Sequence, residues 1–588
     1  MKYFKILHSL ITVIFVCRID AQTSSLVSVG SNAKLSYTAD SKGNIIPDFS
    51  GVGYLNSEVP IPTVAVVKTV SPVSGDNLTN IQDAINQVAT MKVGADGFRG
   101  AILFKKGKYY ISDTINIKAS GIVLRGEGSD TVSGTHFVAT KTSQFTLFNF
   151  RGDSGTYINY TTRKSITDSY VPFGSKQFTV ATGNTFAVGN QVFVHRIPNQ
   201  AWIDLLTMAQ WGWTASLYDV YYERKVTAVS GNVITFDSPV MDEMDATYAP
   251  GEVMKFTSGR ITRSAIENMA ISSTYTSETD ENHGWEAVSF DNIVNAWARN
   301  LNIYYFGNSG VHVQSGATWV TVDNCQMLDP KSQVLGERRY SFYVDGQRTL
   351  VQNCTTRNGR HDFVDGSITP GPNVFYNNNS TLQQNDIGPH MRWSTGILFD
   401  NITGDGSMNV QNRTNSGTGH GWAGGQIMFW NCTGQSMVIH DPEGDAINWA
   451  IGCVFPTISN VGFNATEPLG FVESQNTHIT AIPSLFLAQL NDRTGNAGKS
   501  SQTITFKNIP YQYIGNTDYD PASAASSGLQ VSLTSSDTDV ATIVNGKIHI
   551  VGIGTAVITA TQAGNSSYTQ APDYSQSLNV YNNQCSCH

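Results

Sequence analysis

The sequence predicts an all-β protein: a parallel β-helix carrying an inserted β-rich subdomain and followed by a C-terminal β-sandwich. Three observations carry that reading. Past Arg260 an asparagine recurs behind an apolar pair, at Asn268, Asn300, Asn324, Asn353, Asn377, Asn401, Asn431 and Asn460, as in TVDNC, LVQNC, VFYNN, LFDNI and MFWNC. The successive spacings are 32, 24, 29, 24, 24, 30 and 29 residues, a period at which one strand-turn unit repeats as a solenoid. Upstream, an amphipathic helix leads into many brief apolar runs, as expected of a cap on the open end of such a solenoid. Downstream, about eighty residues alternate apolar and polar between turn residues.

Along the chain, residues 1–21 read as a secretory signal peptide: Lys2 and Lys5 precede the apolar run from Ile6 to Val16, and Ala21 offers a small residue for cleavage. An exported protein is expected, and no other stretch reaches membrane-spanning length. Residues 22–75 form a mostly polar N-terminal segment with the motif IPDFSGVGY. The β-helix domain is expected over 76–493. Its cap helix shows Ile81, Ala84, Ile85 and Val88 at i, i+3, i+4 and i+7, and the runs AILF, YYI, INI and IVL that follow read as short strands.

Between about 165 and 255 the repeat is absent, and strand-like segments such as QVFVHRI and NVITF alternate with Trp202, Trp211, Trp213, Tyr218, Tyr221 and Tyr222. This is an insertion whose aromatics either wall a sugar-binding cleft or core a small subdomain. The asparagines read as architecture, since asparagine tolerates a left-handed backbone and its amide can bond to the next coil. Cys325, Cys354 and Cys432 follow them directly and read as small inward-facing residues. Residues 494–501 are a linker, 502–582 the β-sandwich, and 583–588 a tail whose CSCH is too little for a metal site.

Charged residues make up only 14 % of the chain and the net charge is −9, so nothing global suggests nucleic acid as partner. Locally the balance differs. From Lys331 to Asn431 there are eight Lys or Arg against seven Asp or Glu, and three histidines besides. Those histidines, His361 in RHDF, His390 in GPHMRW and His420 in GHGW, are the candidate catalytic groups.

Asn401 minus His390 and Asn431 minus His420 are both 11, so HMRWSTGILFDN lies over HGWAGGQIMFWN. His390 then falls over His420 and Arg392 over Trp422. Strand alternation would turn His390, Arg392, Ser394, His420 and Trp422 outward, with Met391 and Trp393 in the solenoid interior. His361 stands 16 residues before Asn377 and is five positions out of phase, so the repeat does not fix its place. Arg360, Asp362, Asp365, Arg339 and Tyr340 surround these residues in sequence and complete the candidate set.

Two reactions suit these residue types. In β-elimination on a uronic-acid polymer, a base removes the proton beside the carboxylate while a positive group stabilises the enolate. A neutral histidine serves as base, with Arg392 or Arg360 as the charge. Glycoside hydrolysis needs two carboxyl groups across the bond; Asp362 and Asp365 are the close acidic pair, but a spacing of three does not place both on one strand face. Elimination is the better match, and a non-catalytic glycan binder is the third reading.

The cap helix, AILFKKGKYYISDTINI, IVLRGEG and the asparagine-marked coils resemble the pectate-lyase superfamily of right-handed parallel β-helices over roughly Asp76 to Arg493. RHDF, GPHMRW and GHGW resemble a subgroup of secreted bacterial proteins that degrade acidic polysaccharides, including fucoidan lyases. The resemblance implies a secreted or cell-surface bacterial polysaccharide lyase, expected as a monomer, with His390, His420, Arg392, His361 and Asp362 catalytic and Arg360, Trp422, Arg339, Tyr340 and Asp365 binding an acidic polysaccharide. Pectate lyases also imply calcium held by clustered aspartates, but the sequence has no comparable acidic cluster. The run SSDTDVATIVNGKIHIVGIGTAVITATQAGNSSY resembles bacterial immunoglobulin-like modules, which implies a spacer or attachment role.

Overall fold

A computed structural model describes residues 21–582 except 32, 497, 498, 500, 501, 508 and 572. The expected signal peptide, save Ala21, and the CSCH tail lie outside the described residues. Short strands stack coil upon coil in parallel register, giving a parallel β-helix with sheets of twenty, seven and three strands among the described residues.

Each coil has three sides. In one, the strands Thr318–Asp323, Gln326–Leu328 and Tyr340–Val344 follow one another; in the next, Leu350–Gln352, Thr355–Arg357 and His361–Ser367. The asparagines make the corner between the first two sides. Asn268, Asn300, Asn324, Asn353, Asn377, Asn401 and Asn431 all have φ between 50° and 59°, the left-handed region that asparagine tolerates better than other side chains. Their amides bond along the stack, Asn300 donating to Asn268 and Asn324 to Asn300 at 2.8 Å each, and Asn377 to Asn353 at 2.7 Å. Asn460 does not belong to this ladder. The strand Trp449–Ile451 pairs with Met428–Trp430, so Gly452, with φ 68°, takes the corner after Asn431. Glycine fills that conformation without a side chain, which is why the motif lapses there.

Inside, apolar residues form ladders one strand apart. Phe375 and Phe399 stack at 5.0 Å and Phe399 and Phe429 at 4.9 Å, with ring planes nearly parallel. Cys325, Cys354, Cys432 and Cys453 are buried and free, and belong to the same core. The helix Leu78–Ala89 buries Ile81, Ala84, Ile85 and Val88 against the first coils. The polar N-terminal segment runs along the solenoid flank, burying Phe49 and Val52, and helix Leu485–Arg493 packs on it: the Gln489 side chain accepts from Phe49 N and donates to the Pro47 carbonyl. Beyond it, residues 504–581 form sheets that are antiparallel except where Gln512–Tyr513 runs parallel to Tyr574–Tyr581, around a separate core that includes Ile548, Ile558 and Leu578.

The insertion leaves the solenoid after the strand Phe145–Arg151 and rejoins at Ile261–Thr262. It is therefore longer than about 165–255. Its sheet of six antiparallel strands begins with Thr156–Ser165 and ends with Gly251–Ser258.

Candidate active site

The third side of the solenoid is the seven-strand sheet, whose last three strands in spatial order are Tyr340–Val344, His361–Ser367 and Gly388–Met391. His361 opens its strand and His390 lies near the end of the next; register sets Asp365 beside Pro389 and Ser367 beside Met391. The phase offset of His361 is thus real, yet the side chains converge. The rings of His361 and His390 have centroids 4.6 Å apart, and those of His390 and His420 5.0 Å. Tyr340 joins them, 5.2 Å from His361 and 5.3 Å from His390.

Two residues that the sequence did not single out hold this cluster. Arg413 clamps the Asp386 carboxylate with Nη2 at 2.8 and 2.9 Å, and its Nη1 donates to the carbonyl and Nδ1 of His390 at 3.0 Å each. All three are buried. A guanidinium only donates, so Nδ1 of His390 is the bare nitrogen and Nε2 carries the proton. That proton goes to the Tyr340 oxygen, 3.1 Å away, leaving the Tyr340 hydroxyl free to donate onward. His361 donates from Nδ1 to the Asp386 carbonyl at 2.9 Å, and its buried Nε2 has no partner.

Electrostatics keep the imidazoles neutral. Burial lowers all three, and the neighbouring positive charges lower them further: His361 and His420 fall to about 4, and His390 falls well below its usual range. Burial alone would raise Asp386, but the Arg413 guanidinium holds it well below the usual carboxylate range. Burial pushes the Tyr340 hydroxyl up, so it stays protonated. Only His420 of the three rings is half-exposed.

The loop carrying His420 is shaped by its glycines and by the insertion. Gly419 has φ 79° and Gly421 φ 57°, and a Cβ at Gly419 would meet the Trp211 carbonyl at 2.2 Å. The Trp213 indole donates to the Gly419 carbonyl at 3.1 Å. Both glycines of GHG are therefore required by backbone and space. Arg392 reaches the same loop, donating to the Thr418 carbonyl and Oγ1 at 2.8 and 2.6 Å.

The no-gap alignment of the two coils matches the backbone, where Ser394 pairs with Gly424 and Thr395 with Gly425. The strand alternation drawn from it does not hold. Arg392 and Trp393 have φ 53° and 60° and make a corner, so side chains there do not alternate. Trp393 and Trp422 both sink into a cluster with Trp202, Ile203, Leu206, Met208 and Trp213 beneath the insertion, and the Trp393 indole donates to Asp242 at 2.8 Å. Trp422 is buried and offers no face to a sugar; these aromatics core the subdomain. Met391 is half-buried against the insertion rather than inside the solenoid.

Three further candidates lie elsewhere. Asp362 is fully buried and accepts from Ser341 and Ser380 at 2.6 Å each, which ties adjacent coils together. Asp365, in register with the core residue Val344, is fully buried with neither carboxyl oxygen hydrogen-bonded, and burial raises it to about 8. Arg339 is buried and spends its guanidinium on the Ser332 carbonyl, while its own carbonyl accepts from the His361 amide at 3.1 Å. Arg360 stays beside the cluster, 6.0 Å from the Tyr340 ring centroid. Among the described residues neither Arg360 nor Arg392 forms an ion pair.

The donor set does not fit calcium, which takes oxygen ligands: the imidazoles present nitrogen, and Asp386 is engaged by Arg413. Among the described residues no group of three His, Cys, Asp or Glu is arranged to hold a metal ion.

No protein-family model and no curated protein matches the chain. Among solved structures, alginate lyase from Paenibacillus sp. FPU-7 is similar at 10 % identity and TM-score 0.36, covering 70 % of this chain and all of that one. The tailspike gp49 of Pseudomonas phage LKA1 is similar at 13 % and 0.32, covering 85 % and 91 %. The tailspike of E. coli bacteriophage HK620, solved with a pentasaccharide, gives 10 % and 0.34, covering 70 % and 61 %.

Proposed function

We propose that this protein is a secreted polysaccharide lyase that cleaves an acidic polysaccharide, uronic-acid-containing or sulfated, by β-elimination. The observation that carries the reading is a contiguous cluster of three neutral imidazoles beside two arginines, Arg360 and Arg392, that no carboxylate neutralises. Neutral imidazole is a base, and an unpaired guanidinium binds carboxylate or sulfate and offsets charge that develops on it.

In this reading His420, the ring substrate reaches, takes the proton from the carbon beside the uronate carboxylate. The electron pair forms the carbon–carbon double bond as the glycosidic oxygen leaves. Arg392, anchored on the His420 loop, and Arg360 balance the enolate. Tyr340, whose oxygen is held by the Nε2 proton of His390, donates its hydroxyl proton to the departing oxygen. His390, Arg413 and Asp386 position Tyr340.

Hydrolysis by Asp362 and Asp365 fits poorly, because the Asp362 carboxylate is bound by Ser341 and Ser380 and Asp365 lies in register with the core residue Val344. The test is incubation with a panel of acidic polysaccharides while following the ultraviolet absorbance of unsaturated products. Reducing ends without that absorbance sink the lyase reading, and binding without cleavage favours a glycan-binding protein.

A further inference from the structure

Between the insertion and the seven-strand sheet lies a cleft of about 630 Å³ whose lining includes Tyr221, Asp219, Tyr343, Asp345, Ser367 and Met391. It adjoins the histidine cluster: Met391 follows His390, and the Tyr343 ring packs on Tyr340 at 5.2 Å. Its two walls carry the same device. On the insertion, His195 stacks on Tyr221 at 4.0 Å and 10°; on the solenoid, His312 stacks on Tyr343 at 4.2 Å and 16°. Each histidine is buried behind its tyrosine and bridges two carboxylates. His195 reaches Glu252 at 2.9 Å through Nδ1 and Asp219 at 3.1 Å through Nε2. His312 reaches Glu286 at 2.7 Å and Asp345 at 2.9 Å in the same way. The glutamates lie at the back, and the aspartates face the cleft.

Against its burial, Asp345 and Glu286 raise His312 to about 9, so it donates from both nitrogens and its relay carries a net single negative charge; on the insertion two carboxylates also flank His195, but Arg163 offsets Glu252 at 3.3 Å. The remaining ionisable lining, Glu223 and Arg260, is paired at 2.7 Å. The cleft is therefore negative, with fixed carboxylates able to accept from sugar hydroxyls and tyrosine rings suited to a pyranose face. An acidic sugar is repelled here, whereas the neighbouring histidine site with Arg360 and Arg392 attracts one.

We infer that the cleft is a subsite for a sugar residue without an acidic group, and that the substrate is a heteropolymer in which acidic and non-acidic residues adjoin. This rests on the lyase reading only for the reaction, not for the binding.

The test measures binding by calorimetry to a homopolymeric polyuronate and to an unsulfated polysaccharide alternating a uronic acid with an uncharged sugar. The wild type, Asp219→Asn, Asp345→Asn and, at the other site, Arg392→Ala are compared. The alternating polymer is expected to bind the wild type at least tenfold more tightly, and either Asn variant is expected to narrow that gap at least threefold. Arg392→Ala is expected to weaken both polymers. Equal or tighter binding of the homopolymer, no binding of either, or a gap unchanged in both Asn variants overturns the inference. Binding as expected with no unsaturated product leaves it standing while the lyase reading fails.

Discussion

Replacing Arg413 with methionine strands the carboxylate of Asp386. The two side chains are 4 % and 3 % exposed and meet through two hydrogen bonds of 2.8 and 2.9 Å, and the next cationic candidate, His361 Nδ1, stands 3.6 Å from the carboxylate and is neutral. Removing one partner of a buried pair costs about 3–5 kcal/mol, because the other is left charged and desolvated. Removing both costs less: Arg413→Met with Asp386→Leu is expected to be more stable than the sum of the single losses predicts, by about 1–3 kcal/mol. Denaturant unfolding midpoints of the four proteins give this cycle. The carboxyl of Asp386 is held below its unfolded value of about 3.9, so the pair's contribution is fully present above that pH and is lost as pH falls further. The gap between wild type and Arg413→Met should therefore close in acid. An Arg413→Met loss under about 1 kcal/mol at pH 7, or strict additivity in the cycle, refutes the clamp.

Further outcomes follow from single groups. With His420 lowered to about 4, its base form prevails above that pH, so kcat/KM should hold through pH 5–7 and fall only toward 4; an acid limb near the usual histidine value of about 6.5 contradicts the assigned base. Asp365 is protonated in the fold up to about 8 but only up to about 3.9 when unfolded. The wild type should thus lose stability as pH rises from about 4 to about 8, by at most about 1.4 kcal/mol per pH unit, and Asp365→Asn should lack that share of the slope; parallel pH profiles of the unfolding midpoint would count against it. Asn300→Ala loses the bonds to Asn268 and Asn324 and forces alanine to φ 54°, costing about 1–3 kcal/mol. Asn300→Gly recovers the backbone part only, and an unchanged midpoint for the alanine variant contradicts the ladder.

The solenoid was legible because its corners are chemical: an asparagine in the left-handed region leaves the same mark on seven successive coils, from Asn268 to Asn431, and it lapses at Gly452 and Ser474, which take the same left-handed corner. The pairing of His390 with His420 was legible from that ladder. What strand alternation could not provide was the direction of side chains at Arg392 and Trp393, since two successive left-handed residues make a corner and Trp422 and Trp393 turn under the insertion. Asp362 and Asp365 have the residue type of catalysts, but interior-facing register is invisible in a short polar run. Arg413 and Asp386 left no motif, because their spacings from the histidines match no strand or turn period; only the stacking of coils brings them together. His195 and His312, on segments more than a hundred residues apart, could not be matched before the insertion was seen folded against the solenoid.

The measurement that bears most directly on the lyase reading is the formation of unsaturated product from an acidic polysaccharide by the wild type and by His420→Ala. General base catalysis is worth roughly 10²–10⁴-fold. The wild type is expected to generate the ultraviolet absorbance of a new double bond, and His420→Ala to lose kcat by that factor with binding retained. Undiminished elimination by His420→Ala, or cleavage by the wild type with no double bond formed, contradicts the account.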